Sequence, residues 1–373
     1  MPHGKLKILN WNIAGAKYLE LKSKDSNTNP QPEKTREYFR KRLNEVLRKL
    51  VETHEPDVIT LQEVCRYEPD GKERNAHQII DQLREYDYFP HWLIDTQHHS
   101  ATGKWDKVRT MGEWSDQALF AQGNAILIKK HIPYFRPFDL PATGQDPSVA
   151  LPRDRIEVVK LESGLYLGDR NTEPRAGLVA HLVLSQLHNG KSYEKLERPI
   201  DIFVVNLHLT TLMNEREGIP EIDAEGAQIR MRQLDIVLNG IVSRYNKWKK
   251  DKFRIRGERV DPKQGETHLR HSPIWIIAGD FNFTRESAEY HAVIQRGFID
   301  MIQNHNLGTK TSGLGENPTL TVDYVFAGPR FEAIDPGIAR DETVQNHVEV
   351  NAQTRISDHF PLIIDVPISL EKL

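Results

Sequence analysis

Short apolar runs rich in Ile, Val, Phe and Leu recur along the chain, at 6–11, 58–61, 125–128, 156–161, 178–184, 202–209, 274–278, 322–326 and 361–366. Each has strand length and is bounded by Gly, Pro, Asp or Asn, which predicts a β-strand. Two longer segments have helical spacing instead. Phe39, Leu43, Val46, Leu47 and Leu50 fall on one face, as do Met231, Leu234, Leu238, Ile241 and Val242. A shorter helix is expected from 286 to about 295. Several strands follow one another directly, as in 156–184, so the pattern is not a clean βαβ alternation. It predicts an α/β (α+β) fold, a four-layer sandwich of two face-to-face mixed β-sheets with helices outside. No Pro/Gly/Ser-rich linker divides two apolar regions, so residues 1–373 read as one domain. Its polar insertions fall at 22–34, 95–117 and 244–272.

Composition narrows the function classes. At 38% hydrophobic and 28% charged, the chain has an ordinary globular make-up. Its formal net charge of −3 is too low for a protein that grips long nucleic acid by charge alone. The exception is local: 244–272 carries ten Lys or Arg against four Asp or Glu, which reads first as a solvated helix end and hairpin, with a phosphate-backbone contact as the sharper alternative. Cys65 is the only cysteine, so no internal disulfide can form; it reads as a small core residue. No apolar run approaches the ~20 residues of a membrane helix. MPHGKLKILNWN lacks the apolar stretch and cleavage site of a signal peptide, which makes the cytoplasm the expected location.

The candidate chemistry sits at the ends of the apolar runs. Asn10-Trp11-Asn12 closes the first and Gln62-Glu63 the second. Asn206-Leu207-His208 lies in the sixth, and Gly279-Asp280-Phe281-Asn282 follows the seventh. Asp323-Tyr324 opens DYVFAG, and Ser357-Asp358-His359 precedes FPLIIDV. Buried strands seldom carry such groups unless they are paired or bound to metal. Phosphate-ester hydrolysis asks for these residue types. A hard cation such as Mg²⁺, with Mn²⁺ as a substitute, prefers oxygen ligands, for which Glu63 is the first candidate and Asp358 the second. Asn12 and Asn282 can orient phosphate oxygens or the attacking water without adding negative charge. Asp280 is placed to act as general base. His359 held by Asp323 can stay protonated and face the phosphate, and His208 supplies a second imidazole.

LNWN, LQEV, NLHL, GDFN, DYVF and SDHFPL, each present once and in this order, resemble the endonuclease/exonuclease/phosphatase superfamily. That family includes pancreatic-type deoxyribonuclease, abasic-site endonucleases, sphingomyelinases, inositol polyphosphate phosphatases, deadenylases and tyrosyl-DNA phosphodiesterases. The resemblance covers the chain from Leu6 to Val366. It implies a two-sheet sandwich with the site at one end of the sheets. It implies Asn12 and Glu63 at the metal, His208 at the phosphate, Asp280 and Asn282 at the nucleophile, and Asp323, Asp358 and His359 on the opposite wall. Ala14 stands where abasic-site and tyrosyl-DNA enzymes commonly carry Asp, and His208 where abasic-site enzymes lack His. The chain is therefore closer to the deoxyribonuclease, sphingomyelinase and phosphatase branches.

The expected function is a metal-dependent hydrolase of phosphodiester bonds in nucleic acid or a nucleotide-like substrate. One alternative is a phosphatase or phospholipase C-like enzyme on inositol phosphates, sphingomyelin or another small ester. Another is a non-catalytic binding module. Calcineurin-type motifs are absent. Asn10 and Tyr324 read as structural, His98 and His99 as surface, Trp105 and Trp114 as loop packing, and Arg153, Arg155 and Arg175 as solvated loop arginines.

Overall fold

Alternation along β1 (His3–Asn12) sorts its side chains onto two faces. Leu6 and Ile8 enter one apolar core, whereas Leu9 and Trp11, with Ile13 just beyond, enter another. The computed structural model describes residues 3–13, 32–68, 83–95, 119–132, 134–135, 156–161, 175–188, 193–212, 214–255, 274–302, 320–328, 347–348 and 357–369.

The same sorting recurs in β2 (Val58–Glu68), β4 (Leu119–Lys129), β7 (Arg175–His188), β8 (Tyr193–His208), β9 (Ile274–Asp280), β11 (Asp323–Gly328) and β13 (Leu362–Ser369). Smaller or edge strands complete the set: β3 (Tyr86–Asp95), β5 (Tyr134–Phe135), β6 (Ile156–Leu161), β10 (Ile299–Asp300) and β12 (His347–Val348). Hydrogen bonding follows the path β10-β11-β9-β8-β7-β1-β2-β4-β3, with β13 beside β1 and β5 and β6 beside β7. The join between β7 and β1 is a single pair, Lys5 with His188, so the path folds into two mixed sheets. Most neighbours are antiparallel; β1–β2 and β8–β9 are parallel.

Between the sheets lies a core of Leu6, Ile8, Val58 and Ile126 from one side and Leu178, Ile202, Ile276 and Val325 from the other. The outer faces are covered by helices. On α1 (Pro32–His54), Leu43, Val46, Leu47, Leu50 and Val51 pack on the odd-numbered residues of β1 and β2. On α2 (Pro220–Ile255), Leu234, Val237 and Leu238 pack on Phe203, Val205, Trp275 and Ile277. The third helix, α3 (Ala288–Gln295), begins at Ser287, whose hydroxyl accepts from the Tyr290 N–H at 3.2 Å. Helix, sheet, sheet, helix is the four-layer order expected.

Two expectations need correction. The second strand does not end at Gln62-Glu63 but runs on to Glu68, because an irregularity between Leu61 and Val64 absorbs the change of register with β4. The tail of the 22–34 insertion, from Pro32, is already α1. Among the described residues, no helix is long and apolar enough to cross a membrane.

Candidate active site

Each inner-facing aliphatic residue of the inter-sheet core stabilises the fold by about 1.5–3 kcal/mol on burial. At one end of the sandwich these rows turn polar without changing parity. Asn10 and Asn12 continue the row of Leu6 and Ile8; Thr60 and Gln62 that of Val58; Asn124 that of Ile126; Asn206 and His208 that of Ile202 and Val204. Asp280 continues Ile276 and Ala278, and Asp323 precedes Val325. All are at most 5% exposed. A buried polar group left unpartnered costs about 1–3 kcal/mol, so these rows are tenable only if paired.

The first polar layer is an amide network. The Asn206 side-chain NH₂ donates across the sandwich to the carbonyls of Leu61 (2.9 Å) and Ala125 (2.8 Å). Its oxygen accepts from Gln62 Nε2 at 2.7 Å. Gln62 Nε2 also donates to Asn10 Oδ1 at 2.9 Å, as does Thr60 Oγ1 at 2.8 Å. Asn10 Nδ2 reaches the Gly279 carbonyl at 3.3 Å, and Asn124 Nδ2 the Ala176 carbonyl at 3.3 Å. Asn10 is structural, as expected.

Above this layer the ionisable groups converge on Asp280. Register aligns His208 with Asp280 across β8–β9, and Asp323 with Asp280 across β9–β11. Gly279 permits the close approach of β8: a Cβ there would lie 2.0 Å from the Leu207 carbonyl oxygen. Asp280 Oδ2 accepts from Asn12 Nδ2 at 2.9 Å and lies 3.5 Å from His208 Nε2 and 3.7 Å from His359 Nε2. Its Oδ1 accepts from the Asn282 N–H at 3.0 Å, an Asx turn. Burial pushes the Asp280 carboxyl up to about 6 and Asp323 adds to this, against the lowering effects of His359, Asn12 and the Asn282 N–H.

His359 is held from below. Ser357 Oγ donates to the Asn12 carbonyl at 2.7 Å and accepts from the His359 N–H at 3.0 Å, and Trp11 Nε1 donates to the His359 carbonyl at 2.9 Å. Its Nδ1 meets Asp323 Oδ2 at 2.8 Å. Burial alone would depress the imidazole, but the charges of Asp323 and Asp280, the hydrogen bond to Asp323 and the charge of Asp358 hold it well above its ordinary range. Asp358 is half-buried, with Oδ1 3.5 Å from Ser357 Oγ.

Glu63 and Asn282 both stand in the left-handed region, at φ 53°. Such conformations cost of order 1–3 kcal/mol and gather at functional sites. At Glu63 the cause is the strand irregularity, which leaves its half-buried carboxylate with Oε1 3.4 Å from Asn12 Nδ2. At Asn282 the turn is pinned by Nδ2 donating to the Leu209 carbonyl at 3.0 Å and by Arg216 donating to the Asn282 carbonyl. The chain beyond His208 is fixed too: Thr210 exchanges two hydrogen bonds with Gln233, and Arg230 joins the Thr210 carbonyl (3.2 Å), Glu215 (2.6 Å) and Glu289 (3.0 Å).

The structure thus gathers Asn12, His208, Asp280, Asn282, Asp323 and His359 in direct contact or one residue removed, with Glu63 touching Asn12 and Asp358 within electrostatic reach of His359. Arg175 is not a solvated loop arginine. It opens β7, is 6% exposed, and places Nη1 2.8 Å from His208 Nδ1. Tyr324 is the packed strand aromatic expected, stacked on Phe283 at 5.4 Å. Ala14, His98, His99, Trp105, Trp114, Arg153, Arg155 and the Cys65 side chain lie outside the described residues, as do 22–31, 96–117 and 256–272.

Among the described residues, two donor sets could concern a cation. Ligand atoms of Asp280, Asp323 and His359 lie within 4.8 Å of one another. Its His359 Nδ1 is already taken up by Asp323 Oδ2 at 2.8 Å, so this trio has the make-up of an acid–base centre. Glu63, Asn12 and Asp358 offer only oxygen atoms, given that the Asn12 amide nitrogen is turned to Asp280 and Glu63, and hard oxygen donors suit Mg²⁺.

The sequence profile of the Endonuclease/Exonuclease/phosphatase family matches residues 9–359. No curated protein sequence matches the chain. Among solved structures it is similar to an endonuclease/exonuclease/phosphatase family protein from Bacteroides thetaiotaomicron, at 14% identity and a TM-score of 0.51 over 99% of this chain and 97% of that one. It is likewise similar to an endonuclease/exonuclease/phosphatase from Beutenbergia cavernae, at 16% identity and a TM-score of 0.51 over 98% of this chain and 72% of that one. A mannosyl-6-phosphatase from B. thetaiotaomicron aligns at 14% identity and a TM-score of 0.48, over 97% of this chain and 99% of that one. Identities this low speak for the fold alone.

Proposed function

The chain belongs to the endonuclease/exonuclease/phosphatase family, and from that premise we propose that it is a divalent-metal-dependent hydrolase cleaving phosphodiester bonds of nucleic acid or a nucleotide-like substrate. One observation carries the reading: a buried carboxylate, Asp280, sits between two imidazoles of which one is backed by a second carboxylate, Asp323. That is the minimum equipment for taking a proton from water beside an anionic ester.

In this reading Asp280 accepts the proton of the attacking water. Its raised pKa suits the task, since a base poised near neutrality is both ionised and able to hold a proton. Asn12 and the Asn282 N–H fix the carboxylate, each by one hydrogen bond, so its orientation is set before substrate arrives. His359, charged and backed by Asp323, faces the non-bridging oxygens, and His208 donates a second hydrogen bond to them. Glu63, Asn12 and Asp358 would hold the cation. When bound, Mg²⁺ or Mn²⁺ supplies positive charge for the phosphoryl oxygens and steadies the leaving oxygen.

The basic stretch 244–272 supports a polymer or nucleotide substrate over a small ester; its first part, to Ile255, continues α2. The family match, which spans all the insertions, favours one domain. The test is a panel of single- and double-stranded DNA, RNA and dinucleotides with Mg²⁺ and with chelator, beside a phosphate-release screen over inositol phosphates and lipid head groups. Chelator-sensitive cleavage of a nucleic-acid or dinucleotide member is expected. Activity confined to the second screen would move the substrate to small esters; none in either would end the enzyme reading.

A further inference from the structure

The two imidazoles that face Asp280 are backed by partners of opposite sign. Behind His359, the Asp323 carboxylate meets Nδ1 at 2.8 Å. Behind His208, the Arg175 guanidinium meets Nδ1 at the same 2.8 Å. A guanidinium has five N–H donors and no acceptor, and it stays charged at any ordinary pH. For Nη1 to stand at hydrogen-bond distance from His208 Nδ1, that nitrogen must present its lone pair. The one ring proton is then on Nε2, which points at Asp280 Oδ2, 3.5 Å away. We infer that Arg175 is a positioning residue that locks His208 as the neutral Nε2–H tautomer, making it a directed hydrogen-bond donor and not a second acid.

The opposing influence is Asp280, whose charge favours a doubly protonated His208. That state would set an imidazolium N–H against a guanidinium N–H at 2.8 Å. With Arg175 6% and His208 5% exposed, little water is at hand to screen the repulsion. The hydrogen bond and the imidazolium exclude each other, so the observed contact selects the neutral ring. The wider set of charges agrees. Asp280 can answer only one imidazolium fully, and His359 already has Asp323 behind it and Asp358 nearby. The same Asp280 oxygen thus faces one ring backed by a carboxylate and one backed by a guanidinium, a division set by the sign of the group behind each ring.

The catalytic consequence rests on the phosphoesterase reading; the tautomer does not, and the test separates them. Long-range ¹H–¹⁵N spectra of imidazole-labelled full-length protein, with His208 assigned through His208→Gln, report which ring nitrogens carry protons. At neutral pH, wild type is expected to show His208 protonated at Nε2 alone. Arg175→Lys, which keeps a cationic donor, preserves the His208 pattern, and Arg175→Glu converts it to the doubly protonated form. In turnover, Arg175→Ala loses roughly 10–100-fold in kcat, the range for groups that orient a working imidazole, with KM less affected, and added guanidinium ion restores part of it. A doubly protonated His208 in wild type, or an Nδ1–H tautomer, overturns the proposal whatever the enzyme does. If Arg175→Glu does not fold, the wild-type and Arg175→Lys spectra still decide. Should the tautomer be as stated in a protein that cleaves no phosphate ester, the positioning claim stands and the phosphoesterase reading falls.

Discussion

Asn206 ties the two sheets together directly beneath the site, and its removal is the most quantitative challenge to this account. Its amide donates to Leu61 O at 2.9 Å and Ala125 O at 2.8 Å, and accepts from Gln62 Nε2 at 2.7 Å. Leu61 and Ala125 are direct partners across β2–β4, in step with the Asp57 carbonyl that accepts from the Lys129 N–H, so the Asn206 amide adds a second hydrogen bond to carbonyls that the ladder already engages. Asn206→Ala therefore removes three hydrogen bonds and strands one Gln62 N–H in a layer where Asn10, Thr60, Gln62 and Asn206 are 0% exposed. At about 1–3 kcal/mol for the stranded N–H and about 0.5–1.5 kcal/mol for each bond lost by a carbonyl, with a water entering the vacated space to recover part, the loss should be about 2–5 kcal/mol. A domain of ordinary stability, about 5–15 kcal/mol, folds with that loss but with a much earlier transition. Equilibrium urea unfolding, followed by far-ultraviolet dichroism and tryptophan fluorescence, measures it. Because His208 lies two residues further along β8, kcat should fall as well while the variant remains folded. A loss below about 1 kcal/mol would mean that these carbonyls find other partners and that the amide layer is not what fixes the sheet spacing.

Four further outcomes follow from the same geometry. Asp280→Asn and His359→Ala should each slow turnover by roughly 10²–10⁴-fold with the fold intact, as circular dichroism would check; near-normal rates would mean the roles are misassigned. The dependence of kcat/KM on pH should rise as Asp280 loses its proton near about 6, hold, and fall only above the ordinary histidine range as His359 loses its own. The sign is fixed because the base must be ionised and the imidazole charged, the two values belonging to the interacting pair; a profile flat across the acid limb refutes it. Glu63→Gln should raise the Mg²⁺ concentration for half-maximal activity before it lowers the saturated rate, and an unchanged titration would move the cation elsewhere. Gly279→Ala should fail to accumulate as folded protein, since its Cβ would meet Leu207 O at 2.0 Å; a soluble, native-like variant would show that β8 and β9 can separate there.

Parity is what made most of this site legible in the chain itself. Once Leu6 and Ile8, Ile202 and Val204, or Ile276 and Ala278 are seen as one face of a strand, the next members of each row are Asn10 and Asn12, Asn206 and His208, and Asp280. A polar residue that keeps step with a buried row must be paired or at work, and several strands turning polar at the same end select the end of the sandwich where work is done. Where parity or length broke down, the pattern hid the structure. Glu63 lies on an irregularity that no alternation predicts, so the second strand looked finished where it merely changes step. β3 was invisible because YDYFPHWLID mixes Pro90 and His91 into its middle. Arg175 shares the parity of Val179, which packs under α2, and no spacing rule brings it to His208. Only the assembled β7–β8 register, with Leu178 opposite Asn206, sets the start of one strand beside the end of the other. What sequence could not supply is therefore of one kind: contacts made by strand ends after pairing. Those contacts put a carboxylate behind His359 and a guanidinium behind His208, a difference that no reading of either strand alone contains.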